Sequence, residues 1–550
     1  MMLPAMKSVL LASLAVLGRS CQIGQYLLSD DSPTRYTPFS SEFDFFVEEL
    51  LREWHVFGLA IAVVHANETW SKGYGYAVLP DEPVTPHTLF QGASTTKSFT
   101  ASLAALLVDD NDAFKTVQWS SSMHDLLGTE FVLADKDLTQ HVTVQDALSH
   151  RTGIPRHDAA WVNNDIDVEG EVHALRYLPA SAPLRTKFQY CNLMFTAVSH
   201  LIQIVTHKWH GNVLREWLWD PLGMNQSYYS YADAHKCRLT DARCKMATGY
   251  AWNNVSQKYH AIPDSAYHAG NGAGGIISNV LDYSKWLRAL IYEDGPVPAA
   301  GHSAIKSPMS VAAADQYPYS GPLWYGLGLE GGVYRSHKVH GHSGAIGGYW
   351  SRFAVVPDKQ WGFIAFQNAS GRVTDVVQWR LIDEMLKVPV GEHAAMNEHL
   401  LKKEAEELES RRTLPSKLYS TTPSQPIPPS LSLTYYEGSY RHAGYGHINL
   451  TLTAPVSDVV HSSPIKGATD AALYAMGRCE ESLYTLRHAS GEHWLLEMRY
   501  HVHNTQVVDG YTKARFEIGS SGAVGRLGVM WDASEQEEDE GWVWFHKSRQ

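Results

Sequence analysis

Apolar and polar positions along the first two thirds of the chain follow periods that assign elements directly. Ser40–Trp54 (SSEFDFFVEELLREW) repeats apolar residues at three- and four-residue spacing behind a serine cap, which predicts a helix with one buried face. Phe57–Val64 and Trp70–Ala77 are rich in β-branched, apolar and aromatic residues. They flank a turn around Asn67 and predict a β-hairpin. Ser94–Val108 (STTKSFTASLAALLV) is apolar on most faces, which predicts a buried helix. Thr143–His150 reads as a short helix with a threonine cap, and Gly272–Leu290 as a glycine turn leading into a helix. Val333–Gly341, Gly348–Val356 and Trp361–Phe366 predict three successive strands, and Val376–Leu386 a further helix. Helices enclosing an antiparallel sheet make an α+β architecture.

The pattern changes near residue 390. Glu392–Arg412 is charged and helical, and Leu414–Ser432 holds five prolines and many serines, the composition of a linker. From Leu433 to Gln550, short alternating runs (INLTLTA, SLYTLRH, HWLLEMRY, ARFEIG, RLGVMW, GWVWFHK) are separated by turn signals. That pattern predicts a small all-β domain, a barrel or a sandwich. No fixed-period repeat is present. The expected organisation is a leader over 1–20, an α+β domain over 21–390, a charged helix and linker over 391–432, and an all-β domain over 433–550.

Composition narrows the function classes. With 44% hydrophobic and 19% charged residues among 550, the chain is not disordered or fibrous. Its net charge of −13 is opposite to that of a nucleic-acid binder. No apolar run approaches the roughly 18 residues of a membrane span. The N-terminus (MMLPAMKSVLLASLAVLGRSCQ) has one positive charge at Lys7, a short apolar run and small residues at Gly18 and Ser20, the layout of a secretory signal peptide. Sequons at Asn67, Asn225, Asn254, Asn368 and Asn449 agree with an extracellular glycoprotein. Of the five cysteines, Cys237 and Cys244 lie in a polar stretch (HKCRLTDARCK), where an oxidising compartment favours a loop-closing disulfide. No CxxC or HExxH motif appears, so no metal site is expected.

Three short motifs carry candidate chemistry. Ser94-Thr95-Thr96-Lys97 fits S-x-x-K, a pattern that recurs at Ser303–Lys306 and Ser463–Lys466. Only Ser94 opens a buried helix directly after a glycine-containing turn. There, residues i and i+3 share a face, so Lys97 lies beside the Ser94 hydroxyl. Amides at a helix start can also stabilise a developing negative charge. A buried lysine loses its proton more readily and can serve as a base. Tyr190-Cys191-Asn192 is a lone Y-x-N: the phenol can exchange a proton, and the amide can hold the lysine and a substrate carbonyl. Taken alone, Tyr190 would be read as a buried core residue. His342-Ser343-Gly344 follows a strand and precedes a glycine turn. A strand edge there can present the Ala345 amide to an oxyanion, and Gly344 allows close approach. His342 alone would be read as a structural histidine. Cys191 reads as a small buried spacer without a base of its own.

In this order, S-x-x-K, Y-x-N and H-S-G resemble the serine β-lactamase and penicillin-binding-protein superfamily, in particular its class C-like branch of β-lactamases, D-aminopeptidases, esterases and fungal acyltransferases. LSHRTGIP at 148–155, AGGIISNVLDYSKW at 273–286, WYGLGLE at 324–330 and HSGAIGGYWSRFAVVPDK at 342–359 extend the resemblance over roughly residues 35–390. The resemblance implies a β-lactamase/transpeptidase-like domain in which Ser94 is the acyl-enzyme nucleophile and Lys97 and Tyr190 are general bases. Asn192, His342, Ser343, Gly344 and Ala345 bind substrate, with the Ser94 and Ala345 amides forming the oxyanion hole. His342 stands where many members carry lysine, a departure that points away from β-lactams and toward the peptidase and esterase members. The β-rich tail is similar to the lipocalin-like C-terminal domains of some peptidase relatives, which can cover the active-site mouth. The expected function is a secreted serine hydrolase acting on a small-molecule ester, lactone or amide without metal or cofactor, and with no nucleic-acid partner. The alternatives are an acyltransferase acting on a small metabolite, since only the acceptor differs, and a non-catalytic binding protein on the same scaffold.

Overall fold

The computed structural model describes residues 37–161, 166–239, 241–253, 256–262, 272–420, 422–423, 425–454, 471–476, 482–502, 505–531 and 541–548. The expected leader at 1–20, Cys21, Cys479 and the sequon at Asn254 lie outside the described residues.

The first hairpin forms where the pattern places it, as β1 (Gly58–His65) and β2 (Glu68–Val78). β1 reads as a continuous apolar run because it is buried on both faces. Ala60, Ala62 and Val64 enter one core, while Leu59, Ile61 and Val63 enter the other. β1 is an interior strand of a nine-stranded antiparallel sheet that also contains β2, β3 (Glu82–Pro83), β4 (Ser310–Ala313), β5 (Leu323–Tyr325), β6 (Glu330–Tyr334), β7 (His337–Ile346), β8 (Tyr349–Val356) and β9 (Trp361–Gln367). The strand order is β3-β2-β1-β9-β8-β7-β6-β5-β4.

Helices cover both faces of this sheet. On one side lie α1 (Ser41–Glu53), capped by the Ser40 hydroxyl, and later in the chain a helix spanning Val373–Met385. The other side holds α2 (Thr96–Asp109), α3 (Asn192–Thr206) and α4 (Val280–Tyr292), packed in the larger core. With the helix over Val373–Met385 as α5, this is the expected α+β domain. Among the described residues, no helix is long and apolar enough to cross a membrane.

Two predicted elements change. The single strand expected over Val333–Gly341 is two strands, β6 and β7, joined through Arg335 and Ser336. Both turn residues have positive φ (45° and 69°), which suits the twist of a tight hairpin, but neither is the glycine or asparagine that would have signalled it. The charged helix, α6 (Met396–Leu418), runs past the linker start expected at Leu414 and includes Pro415. Its end is held by tertiary packing: Leu418 and Tyr419 lie against Ala489 and Leu495, and the Tyr419 hydroxyl donates to the Trp494 carbonyl.

The tail folds as an all-β barrel of β10 (Gly438–His442), β11 (Gly446–Leu450), β12 (Ala472–Met476), β13 (Ser482–Ser490), β14 (His493–Val502), β15 (Thr505–Ile518), β16 (Val524–Val529) and β17 (Val543–Lys547). The order is β11-β10-β17-β16-β15-β14-β13-β12. The two end strands meet: Thr451, just beyond β11, exchanges two 2.8 Å backbone hydrogen bonds with Tyr474 of β12. That contact nearly closes the barrel and decides between the barrel and the sandwich expected from the pattern.

Candidate active site

The serine sits on a turn built by the strand before it. Residues Thr88–Gln91 pair with Ile277–Ser278, and the Gly92 amide bonds the Ile276 carbonyl at 2.8 Å. Ala93 then takes a left-handed conformation (φ 46°), which turns the chain sharply into a short 3-10 segment (Ala93–Thr95) ahead of α2. Thr95 and Thr96 hydroxyls bond back to the Gly92 and Ala93 carbonyls at 2.8 and 2.6 Å and fix this turn. Ser94 is left half-buried at the head of the helix.

Lys97 is fully buried one turn further on. Its Nζ lies 3.1 Å from Ser94 Oγ, 2.7 Å from Asn192 Oδ1 and 2.8 Å from the Ala273 carbonyl. Burial, aided by the Arg156 charge and opposed by Asp158, holds its ammonium well below the usual lysine range. A neutral amine has two hydrogens and one lone pair. Asn192 Oδ1 and the Ala273 carbonyl only accept, so they take both hydrogens and the lone pair faces Ser94 Oγ. The Asn192 amide is oriented in turn, because its Nδ2 donates to Asp158 Oδ1 at 3.1 Å.

Tyr190 precedes α3, hydrogen-bonds Ser94, and packs its ring 4.8 Å from Lys97 Nζ. Burial pushes its phenol above the ordinary range, with the Ser94 hydrogen bond and the Arg156 charge pulling the other way. Arg156 stacks 4.9 Å above the same ring and pairs with Asp158 at 2.7 Å. Cys191 is buried and free, and burial pushes its thiol up to about 12, as suits an inert spacer.

The H-S-G segment is the end of β7 and lies against the serine turn. A Cβ added to Gly344 would stand 2.3 Å from the Gly92 carbonyl, 2.4 Å from Ser351 Oγ and 3.0 Å from the Ser94 amide. Only glycine fits that approach. β6 begins pairing opposite Gly341, so Ser343–Ile346 have a strand neighbour on the β8 side alone. This leaves one backbone edge beside Ser94, and Ala345 is exposed there.

The His342 ring is buried, with Nδ1 2.5 Å from the Ser343 carbonyl and Nε2 2.9 Å from the Tyr325 hydroxyl. The carbonyl requires Nδ1 to donate, so Nε2 accepts from the tyrosine. Burial pushes this imidazole down to about 3 and keeps it neutral. Both ring nitrogens are engaged by protein groups, Ser343 and Tyr325, which fixes the strand end.

Cys237 and Cys244 form a disulfide with Cα atoms 5.8 Å apart. Asn67, Asn225 and Asn449 are exposed. Asn368 is a correction: it is buried, and its Nδ2 donates to the Tyr76 and Ala77 carbonyls at 3.1 Å, which leaves no room for a glycan.

Sequence reasoning missed Arg156, Asp158, His150 and Tyr325. His150 packs on Tyr190 at 4.3 Å and accepts from the Cys191 amide at 3.0 Å. Arg156 and Asp158 directly follow the LSHRTGIP segment, but no spacing rule ties them to Lys97.

Comparisons with known proteins show which sequences and folds this chain is similar to. The family model described as Beta-lactamase matches residues 43–387. The chain is similar to the unguisins hydrolase of Aspergillus campestris, 33% identical over 93% of this chain and 92% of that protein. It is 32% identical to the unguisins hydrolase of Aspergillus violaceofuscus over 92% of this chain and 90% of that one. Among solved structures, the octameric penicillin-binding protein homologue from Pyrococcus abyssi covers 92% of this chain and 99% of its own at TM-score 0.56 and 20% identity. A class C beta-lactamase covers 63% of this chain and 94% of its own at TM-score 0.51 and 18% identity.

Proposed function

The chain belongs to the beta-lactamase family and is a serine hydrolase of that kind; from this premise we propose that it is an exported enzyme that cleaves an ester, lactone or amide through an acyl-enzyme on Ser94. The carrying observation is the Lys97 amine, fully buried and 3.1 Å from Ser94 Oγ. In this reading Lys97, neutral at working pH, takes the Ser94 proton as the hydroxyl attacks the substrate carbonyl. The Ser94 and Ala345 amides receive the oxyanion. Tyr190 keeps its proton in the resting enzyme, so it acts first as the acid that passes a proton to the leaving group, and as a base only in the returning step. Water then attacks the acyl-enzyme and releases the acid.

The names of the two Aspergillus relatives support a hydrolytic outcome and make an unguisin the first substrate to test. The leader-like residues 1–20, the Cys237–Cys244 disulfide and the exposed sequons support export.

The test is adduct mapping by mass spectrometry after treatment with a fluorophosphonate, together with turnover of an unguisin and of a chromogenic ester. The expected result is one adduct on Ser94 and loss of turnover by at least ~10³-fold in Ser94→Ala. Turnover retained in folded Ser94→Ala overturns the reading.

A further inference from the structure

The barrel meets the catalytic domain at the turn 443–445, between β10 and β11. The turn is ordered from within, because His442 Nδ1 accepts from the Gly444 and Tyr445 amides at 3.1 and 3.0 Å. Gly444 makes the close approach: a Cβ there would stand 2.9 Å from Leu178 Cδ2 and 3.2 Å from Tyr177 Cβ. Tyr445 follows, packed by Trp531 and Phe545 of the barrel at 5.9 and 6.0 Å. Its hydroxyl lies 2.5 Å from His157 Nδ1.

His157 is buried in the catalytic domain, in a left-handed conformation (φ 47°). Its Nε2 lies 2.8 Å from the Pro179 carbonyl. A carbonyl only accepts, so Nε2 donates, and in the neutral ring Nδ1 accepts the Tyr445 proton. The residues on either side of His157 are Arg156, stacked on Tyr190, and Asp158, which holds the Asn192 amide against Lys97.

We propose that the barrel takes part in catalysis by positioning: Tyr445, through His157, holds the loop that places Arg156 and Asp158 around Lys97 and Tyr190. This rests on the reading of Lys97 as the base for Ser94. The polar and charged groups facing Lys97 come from six places: Ser94 of the serine turn, the Ala273 carbonyl, Arg156 and Asp158 of this loop, Tyr190, Cys191 and Asn192 at the start of α3, His150, and His342 of β7. The pair Arg156 and Asp158 flanks His157, which the barrel's Tyr445 holds. Of that pair, Arg156 acts more strongly on Lys97 and favours its neutral form. Loosening the loop therefore makes Lys97 easier to protonate. Tyr445 and His157 are positioning residues, since neither touches Ser94 or Lys97.

The test measures the rate of Ser94 phosphonylation against pH in the full chain, with Tyr445→Phe beside the wild type. One lost hydrogen bond of ordinary strength corresponds to a rate loss of roughly threefold to tenfold at neutral pH. The acid limb of the profile should move to higher pH, a change that a merely structural contact would not produce. His157→Asn keeps an acceptor near the Nδ1 position and should lie close to wild type, while His157→Ala should match Tyr445→Phe. If Tyr445→Phe fails to fold, the two His157 variants carry the comparison. Superimposable profiles for Tyr445→Phe and wild type overturn the positioning role and leave the Ser94 reading intact. No Ser94 adduct in the wild type overturns the underlying reading instead.

Discussion

Gly344→Ala tests the backbone geometry on which the proposed oxyanion hole depends. The added methyl would lie 2.3 Å from the Gly92 carbonyl and 2.4 Å from Ser351 Oγ. Both are about 1 Å inside ordinary contact. Ser351 can rotate away, at the loss of its 2.7 Å bond to the Gly92 carbonyl. Gly92 cannot, because its amide is bonded to Ile276 and its carbonyl also accepts from the Thr95 amide and hydroxyl. Either β7 or the serine turn must therefore move by about 1 Å. A displacement of that size costs on the order of 10²-fold in rate, and losing one oxyanion donor costs ~10²–10³ in kcat. The barrier should rise by about 3–4 kcal/mol. Overpacking itself costs about 1–3 kcal/mol of stability, which leaves the protein folded. Steady-state kinetics on a chromogenic ester, with circular dichroism on the same sample, read both effects. The expected pattern is a fall in kcat with little change in KM. A folded Gly344→Ala enzyme with kcat within threefold of wild type would refute the reasoning.

Two further outcomes follow from burial and connectivity. His342 and His210 are pushed down to about 3, and His340 to about 4, chiefly by burial. Between these values and the ordinary 6.5, the unfolded chain binds more protons than the folded one, so stability falls as pH falls through that window. At pH 5 each residue costs about 2 kcal/mol, and the three together reach the order of the whole folding free energy. Urea unfolding at pH 8 and pH 5 checks this, and equal midpoints would contradict it. Replacing Cys237 and Cys244 by serine opens a loop with sequence separation 7. A loop that short corresponds to about 2–3 kcal/mol. A lower urea midpoint should appear with turnover retained below it, since the bridge packs on Leu89 and Ile277 behind the serine turn rather than in the site.

Much of the catalytic domain was legible because its signals are local. Ser40 caps α1 as a serine before an amphipathic run should, and Thr143 caps the short helix Val144–Leu148 through a reciprocal bond with Asp146. The approach of Lys97 to Ser94 was legible from their i, i+3 spacing, although Ser94 lies in the 3-10 turn that leads into α2. The hairpin at Arg335–Ser336 and the end of α6 were not legible. The first uses turn residues without a composition signal, and the second is held by barrel residues more than 70 positions away in sequence.

By itself the sequence determined the α+β class and the all-β tail, because periodicity is a property of neighbouring residues, and it singled out Ser94, Lys97, Tyr190 and the H-S-G segment as candidates through the resemblance that their order carries. The tertiary structure decided what those residues face. It turned the Lys97 lone pair toward Ser94 through Asn192 and Asp158, engaged His342 with Tyr325, and buried Asn368 beneath β2. It also brought Tyr445, 288 residues along the chain, to His157. Protonation, tautomer and accessibility depend on burial and on partners distant in sequence, and no local pattern encodes either.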